Sequence, residues 1–434
     1  MNDAQTILRA IFTAALRAVD PCEAVLRQAE HIRSRFAAEG CDRLLILGFG
    51  KAAVPMAAAV EAALADLAPM GVVVTKEGFL QPGILRRIQV REASHPIPGL
   101  RGVAATEEII RLAAGADERT LALVLISGGG SALLVAPAAG LTLTDKQETT
   151  SLLLRAGADI GELNAVRKHL SRVKGGQLAG FLSPAPSLSL ILSDVLGDRL
   201  DVIASGPTTP DGSTFADAVA IIERYRLIEK VPPRVLSHLH KGAAGAIPET
   251  PTAGNRVFAT GETVIVATLG VALDAARREA EQRGFMAVLL PEPVTGEARE
   301  AGRTLAQRAL ALKAARQNGQ PFCLVSGGET TVTVRGNGLG GRNMELALAF
   351  AREIEGEDGI TLLSAGTDGN DGPTDAAGAL VDGTTTEQGR RAGFDLDRAL
   401  LDNDSWNFFH RTGGLFITGP TGTNVMDLQL IIVT

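Results

Sequence analysis

The sequence predicts an α/β fold built on a largely parallel sheet, and three observations carry that expectation. Apolar runs of strand length alternate with amphipathic stretches at helical spacing along the whole chain, the pattern of βαβ units. The runs are unbroken and rich in Leu, Val and Ile, as in LALVLI at 121–126, and read as strands buried on both faces. Two of them stop in glycine-rich turns, GFGKAA at 48–53, which leads into a helix, and SGGGS at 127–131, after which the chain turns apolar again.

Taken in order, residues 4–19 place Ile7, Leu8, Ile11, Phe12, Ala15, Leu16 and Val19 on one helical face, and Asp20-Pro21 opens a second helix with proline at its first position. Residues 44–47 form a strand, followed by GFGKAA and an Ala-rich helix to about 67; 72–75 is the next strand. The loop SHPIPG at 94–99 precedes a helix, and the strand ending at Ser127 follows. Thr144-Asp145-Lys146-Gln147 reads as a capping box. The basic run 164–176, which includes Lys174, reads as a solvated helix face. Residues 187–192 form a strand that ends in Ser193-Asp194, with Asp198 close behind, and helices continue to Leu239.

The small-residue, proline-containing segment 241–251 is a candidate boundary, giving domains 1–245 and 246–434. Beyond it come a helix at 272–283, a strand at 287–290 and a long helix to about 317. The apolar run 322–325 again ends in Ser326-Gly327-Gly328-Glu329. A glycine-rich loop at 336–341 then leads through Arg342 and Asn343 into a helix at 344–355. A strand at 360–364 runs into a loop holding Asp368 and Asp371, and a loop with Asn424 precedes the last strand.

Composition bounds the function. A chain of 434 residues allows two or three domains. With 45% apolar and 21% charged residues it is globular, not disordered. A formal net charge of −7 argues against a nucleic-acid binder. Cys22, Cys41 and Cys323 have neither metal-ligand spacing nor the numbers of a disulfide framework. The opening MNDAQTILRAIF has no signal region and no 18-residue apolar run occurs, so a soluble cytoplasmic protein is expected.

Two strand-to-Ser-Gly-Gly edges, Ser127-Gly128-Gly129-Gly130-Ser131 and Ser326-Gly327-Gly328, point to a phosphate or carboxylate site, because glycine backbones approach ligands closely and expose their N–H groups. Gly48 and Gly50 complete a G-x-G-x-x-A match. A nicotinamide site also wants an acid at the end of the next strand, where Thr75-Lys76 stands instead. Lys51 occupies a helix N-terminus that already favours anions, an arrangement that makes sense with an anion between cation and helix. Asp194, Asp198, Glu329, Asp368 and Asp371 follow apolar strands; each alone reads first as a turn former or helix cap. Arg342 lies where a guanidinium can fork onto carboxylate or phosphate. Both cations are expected to be removable at little cost in stability.

These motifs, in this order, resemble the class II glycerate kinases. GFGKA at 48–52, His95-Pro96, SGGGS at 127–131, residues 166–176 and 193–198 are similar to the family's N-terminal half. SGGETT at 326–331, GGRN at 340–343 and residues 365–377 are similar to its C-terminal MOFRL domain; Met344 stands where the family usually has Gln. The resemblance implies a Rossmann-like N-terminal domain, a smaller α/β MOFRL domain and an active site in the cleft between them. It implies transfer of the ATP γ-phosphoryl group to D-glycerate, with Mg²⁺, giving 2-phosphoglycerate. Catalytic roles carry over to Lys51 and Arg342; Asp194 is assigned beside them to metal or hydroxyl positioning, with Asp198 as a second metal ligand. Substrate or nucleotide binding falls to Gly48, Gly50, the 127–131 loop, Lys174, Ser326, Gly327, Gly328, Glu329, Asn343, Asp368 and Asn424. Partners are small molecules, with neither nucleic acid nor membrane, and a homodimer is left open. Members are often labelled hydroxypyruvate reductase, so NAD(P)H-dependent reduction is the rival reading and a non-catalytic sugar-acid-binding protein the third.

Overall fold

The computed structural model describes residues 3–78, 83–316 and 319–434. The chain forms two compact units, one of Pro21–Val266, the other of Met1–Asp20 with Ala267–Thr434.

The first unit is organised by six strands: β1 (Arg43–Phe49), β2 (Met70–Lys76), β3 (Ile88–Ala93), β4 (Thr120–Ile126), β5 (Ser187–Leu192) and β6 (Gly261–Ala267). Their order is β3-β2-β1-β4-β5-β6, and β1 through β5 pair in parallel. Leu47, Phe49, Val72, Val74, Val124 and Ile126 share one face and pack with Ile109 and Ala113 of the helix Leu100–Ala114. The intervening Ile46, Val73, Leu123 and Leu125 are buried too, which is why these strands read as continuous apolar runs. A second cluster joins the helices Ile160–His169, Phe215–Arg224 and Pro233–Ala243 through Val166, Phe215, Ile222 and Leu239. The helix expected to be capped at Thr144 is capped two residues earlier, at Thr142. Thr142 Oγ1 accepts the Asp145 N–H, and the Asp145 carboxylate accepts the Thr142 N–H in return.

In the second unit β7 (Met286–Leu289), β8 (Val294–Glu297), β9 (Phe322–Thr331), β10 (Ile360–Gly366), β11 (Gly378–Asp382), β12 (Leu415–Phe416) and β13 (Asp427–Val433) form one sheet. Its order is β12-β11-β10-β13-β9-β7, with β8 also on β9. Only β7 and β8 run parallel to β9; the other pairs are antiparallel. The helix Ala298–Ala315 packs on the helix Arg342–Glu353; the end expected for the first near 317 lies outside the described residues.

The observed division departs from the expected one at the N-terminal helix and at the internal boundary. Leu8, Ile11, Phe12 and Ala15 are buried because the helix Asp3–Ala18 lies on the helix Leu269–Gln282 and on β10 and β13. Residues 246–266 stay with the first unit. There Thr250 Oγ1 donates to Asp211 Oδ2 at 3.0 Å, Asp211 N donates to Pro251 O at 2.9 Å, and β6 closes the sheet edge.

Gly50, just past β1, has φ +132°, and a Cβ there would lie 2.2 Å from Ser127 Oγ and 2.5 Å from Ser127 O. Gly140 also has positive φ, but its surroundings are open. Gly50→Ala therefore adds a steric collision to backbone strain of about 1–3 kcal/mol, whereas Gly140→Ala carries the strain alone. Denaturant midpoints of the two variants should place Gly50→Ala well below Gly140→Ala.

Candidate active site

The strand order reverses between β1 and β4, the position at which a doubly wound sheet opens a crevice beyond its carboxyl ends. Three hydrogen bonds join the two loops there. Ser127 N donates to Phe49 O at 3.2 Å and Lys51 N to Gly128 O at 2.9 Å, while Ala52 N donates to Ser127 Oγ at 3.0 Å. Lys51 is thereby fixed one residue before Ala52 caps the helix Ala53–Ala63. Gly129 has φ +81°. Among the described residues the N–H groups of Gly128 and Gly129 meet no acceptor, which leaves a pair of adjacent donors for an anion. Gly48 and Gly130 serve packing: a Cβ would meet Val73 at the first and Ala204 and Phe49 at the second.

His95 stands over this loop, and a Cβ on Gly129 would lie 2.9 Å from its ring. Burial, then Lys51 and Lys76, push the imidazole down to about 4, so it is neutral at pH 7. At the end of β2, where a nicotinamide site places an acid, stands Lys76. The following Glu77 accepts from Ser94 Oγ at 3.2 Å and from Arg101 at 3.4 Å. Ile126 pairs with Ile191, which brings residues 193–198, with Asp194 and Asp198, to the same sheet edge as the glycine loop.

The basic run 164–176 is not a solvated face. Lys168 is buried on Asp211 at 3.0 Å, and buried His169 bonds Ala165 O at 2.7 Å and Glu249 at 3.1 Å. Lys174 is 1% exposed and donates to Ser131 O at 2.9 Å. Only Arg172, on Glu107 at 2.6 Å, behaves as a surface charge. Charge density along the sequence carries no information about depth; the glycine pair 175–176, with φ +57° and +79°, is the local signal that the chain turns inward.

In the second unit the expected Ser326-Gly327-Gly328 turn is continuous strand within β9. Gly328 pairs with Asp427 of β13 on one side and Val294 of β8 on the other. A Cβ at Gly328 would lie 2.2 Å from Val294 O, so close strand approach accounts for the glycine. Ser326 Oγ donates to Gln429 O at 3.3 Å.

Arg342 opens its helix and forks onto Asp427, Nε to Oδ2 at 2.6 Å and Nη2 to Oδ1 at 3.0 Å. Its third nitrogen bonds Glu329. Asp427 is 1% exposed, and burial raises its carboxyl above the usual range although Arg342 opposes the shift. Asp371 accepts Asn343 N at 3.0 Å and Met344 N at 2.8 Å, capping the same helix; burial pushes its carboxyl up to about 7 against those two donors. Asn343 is buried and its Oδ1 accepts from Ser364 at 2.7 Å. Asp368 and Asn424 each accept a backbone N–H two residues on, the local turn bond of such side chains. Sequence reasoning does not single out Asp427; its one signal is an acid opening a mainly apolar strand, DLQLIIV.

Two outcomes follow from this charge arrangement. The folded pKa of His95 lies below the 6.5 of an ordinary imidazole, so its contribution to stability is full above pH 6.5 and is lost as pH falls toward 4. Unfolding midpoints measured across that window should fall less steeply for His95→Gln than for the wild type. Arg342→Ala leaves Asp427 buried without its cation, which should cost about 3–5 kcal/mol. Adding Asp427→Asn should recover part of the loss in melting temperature. Arg342 is thus not the freely removable cation its sequence position suggested.

Comparison with known proteins gives consistent relatives. A family model described as a domain of unknown function, DUF4147, matches residues 7–240, and the MOFRL family model matches residues 322–427. D-glycerate 2-kinase of Thermotoga maritima is 44% identical over 90% of this chain and 91% of its own. A putative hydroxypyruvate reductase of Agrobacterium vitis is 42% identical over 99% and 94%. The crystal structure of Thermotoga maritima glycerate kinase superposes with a TM-score of 0.90 at 40% identity, covering 100% of both chains.

Proposed function

The chain belongs to the glycerate kinase family with DUF4147 and MOFRL domains, and we propose that it transfers the γ-phosphoryl group of ATP to D-glycerate, giving 2-phosphoglycerate and ADP. The observation that carries this reading is the switch point of the first sheet. A cation, Lys51, and the unengaged N–H groups of Gly128 and Gly129 meet there, and the end of β2 holds Lys76 in place of the acid a nicotinamide site wants.

Phosphoryl transfer asks the protein mainly for positioning and charge neutralisation. The glycine loop supplies backbone donors for phosphate or carboxylate oxygens. Lys51, anchored through its own N–H, neutralises charge that grows on the transferred group and its leaving oxygen. His95, neutral over the loop, offers a hydrogen bond without adding charge. In the second unit Arg342 is held in one orientation by Asp427 and Glu329, which suits a guanidinium that meets its anion without reorganising.

Magnesium in such reactions is held by one or two carboxylates together with the phosphates. Asp194 and Asp198 fit that donor set, whereas among the described residues no group of three or more His, Cys, Asp or Glu is arranged for a metal. When bound, the ion offsets phosphate charge.

The second reading, hydroxypyruvate reduction, is favoured by the G-x-G-x-x-A match and by the strand order of a dinucleotide-binding sheet. Two assays on one preparation separate the readings. ADP should form from ATP and D-glycerate only with a divalent cation, phosphorus NMR should show the 2-phosphate ester, and NAD(P)H with hydroxypyruvate should stay unoxidised. Hydride transfer without kinase turnover would reverse the assignment. Lys51→Ala should keep the wild-type melting temperature and lose about 10²–10³ in kcat.

A further inference from the structure

Of the five basic side chains at 167–174, three have an acid: Lys168 has Asp211, His169 has Glu249 and Arg172 has Glu107. Arg167 and Lys174 have none among the described residues. Both instead point at one neutral atom, the carbonyl oxygen of Ser131, from 3.5 Å (Arg167 Nη2) and 2.9 Å (Lys174 Nζ). Two cations sharing a carbonyl repel each other, and a buried cation without a counter-charge is costly.

A third cation nearby, Lys146, has a different occupation. Its Nζ donates to Leu170 O at 2.7 Å and to Arg167 O at 3.4 Å, capping the C-terminal carbonyls of the helix Ile160–His169. Arg167 and Lys174 have no comparable structural employment.

The surroundings are polar and fixed. Ser205 Oγ donates to Asn164 Oδ1 at 3.0 Å, which commits its hydrogen, so Ser131 is the donor in the 2.8 Å Ser131–Ser205 bond. Ala204, Ser205 and Gly206 all have positive φ, and Gly175 N and Gly176 N donate to Ser205 O and Gly206 O. The loop bearing Lys174 is thus sewn to the loop bearing Ser205. Ser131 itself ends the glycine loop whose Gly128 carbonyl holds Lys51.

We propose that Arg167 and Lys174 form the receptor for the carboxylate of the acceptor, a small hydroxy acid, beside the 127–131 loop. The assignment rests on the kinase reading for the identity of the acceptor. A compact monoanion supplies the missing counter-charge, and the planar guanidinium of half-buried Arg167 can take its two oxygens in a fork. Burial, followed by Arg167 and Lys146, holds the Lys174 amine well below the ordinary lysine value. Arrival of the carboxylate reverses that balance and draws a proton onto Lys174. Arg167 and Lys174 then select for charge, and Ser131, through Ser205 and Asn164, fixes the loop that presents the acceptor.

Calorimetric titration of the full chain with D-glycerate reads affinity and proton uptake together. It should be run in two buffers of different ionisation enthalpy, with and without a non-hydrolysable ATP analogue, and with glycerol as the uncharged control. The wild type should bind D-glycerate with proton uptake and ignore glycerol. Lys174→Met should bind it about 10- to 100-fold more weakly and without proton uptake. It should also keep its melting temperature, because a buried amine with no acidic partner among the described residues has been removed, and keep its affinity for the ATP analogue. If Lys174→Met does not fold, Arg167→Gln must show the same selective weakening. Unchanged D-glycerate affinity in both variants, a loss confined to the nucleotide, or no binding by the wild type overturns the receptor. Binding at these residues without turnover would remove the kinase reading and leave the receptor; turnover with unaltered variant affinities would do the opposite.

Discussion

The seam between the ends of β1 and β4 is made of backbone atoms. Phe49 O, Lys51 N and Ala52 N meet Ser127 N, Gly128 O and Ser127 Oγ across a gap that Gly50 leaves open by having no side chain. Because those bonds consume the polar groups on the inner side of both loops, the two N–H groups left over, those of Gly128 and Gly129, belong to the crevice. His95 covers the same glycine loop, and its low basicity follows first from burial and then from Lys51 and Lys76 nearby. The chemistry of the first unit is what remains after the seam has been satisfied.

The two units treat their cations in opposite ways. Arg342 is enclosed by Asp427 and Glu329, so its charge is balanced within the fold and its geometry is fixed, and the buried carboxylate makes that pair part of the stability of the unit. Arg167 and Lys174 are left unbalanced around a single carbonyl oxygen. Natural proteins retain such imbalances where a ligand completes the set. The sequence shows all three as basic residues near glycine-containing loops and gives no sign of the difference.

Much of the first unit could be read directly. Its strands are uninterrupted apolar runs because both faces are covered, and each turn chemistry stands where a parallel strand must end. Lys51 and the glycine loop follow from the same logic. The second unit was harder. An antiparallel strand such as β9 can carry Ser326-Gly327-Gly328 in its interior when neighbouring backbones approach closely, and the same tripeptide makes a turn after β4; only the pairing partner distinguishes them. The division of the chain was obscured for a related reason. A helix with one apolar stripe declares that it packs, but the surface that receives the stripe of Asp3–Ala18 is made by residues more than two hundred positions away. Burial of a basic run is equally a property of its partners.

That terminal helix has a consequence for how the molecule is made. The unit Pro21–Val266 is one continuous stretch and can assemble while the remainder is still being synthesised. The helix Asp3–Ala18 precedes that unit in the chain, yet the surfaces its apolar stripe covers, the helix Leu269–Gln282 and the strand Asp427–Val433, follow it. Thr423, eleven residues from the end, donates to Val19 O at 2.8 Å. The apolar stripe of Leu8, Ile11 and Phe12 is therefore completed only by segments made more than two hundred residues later, which makes it the part of the fold whose burial is most delayed.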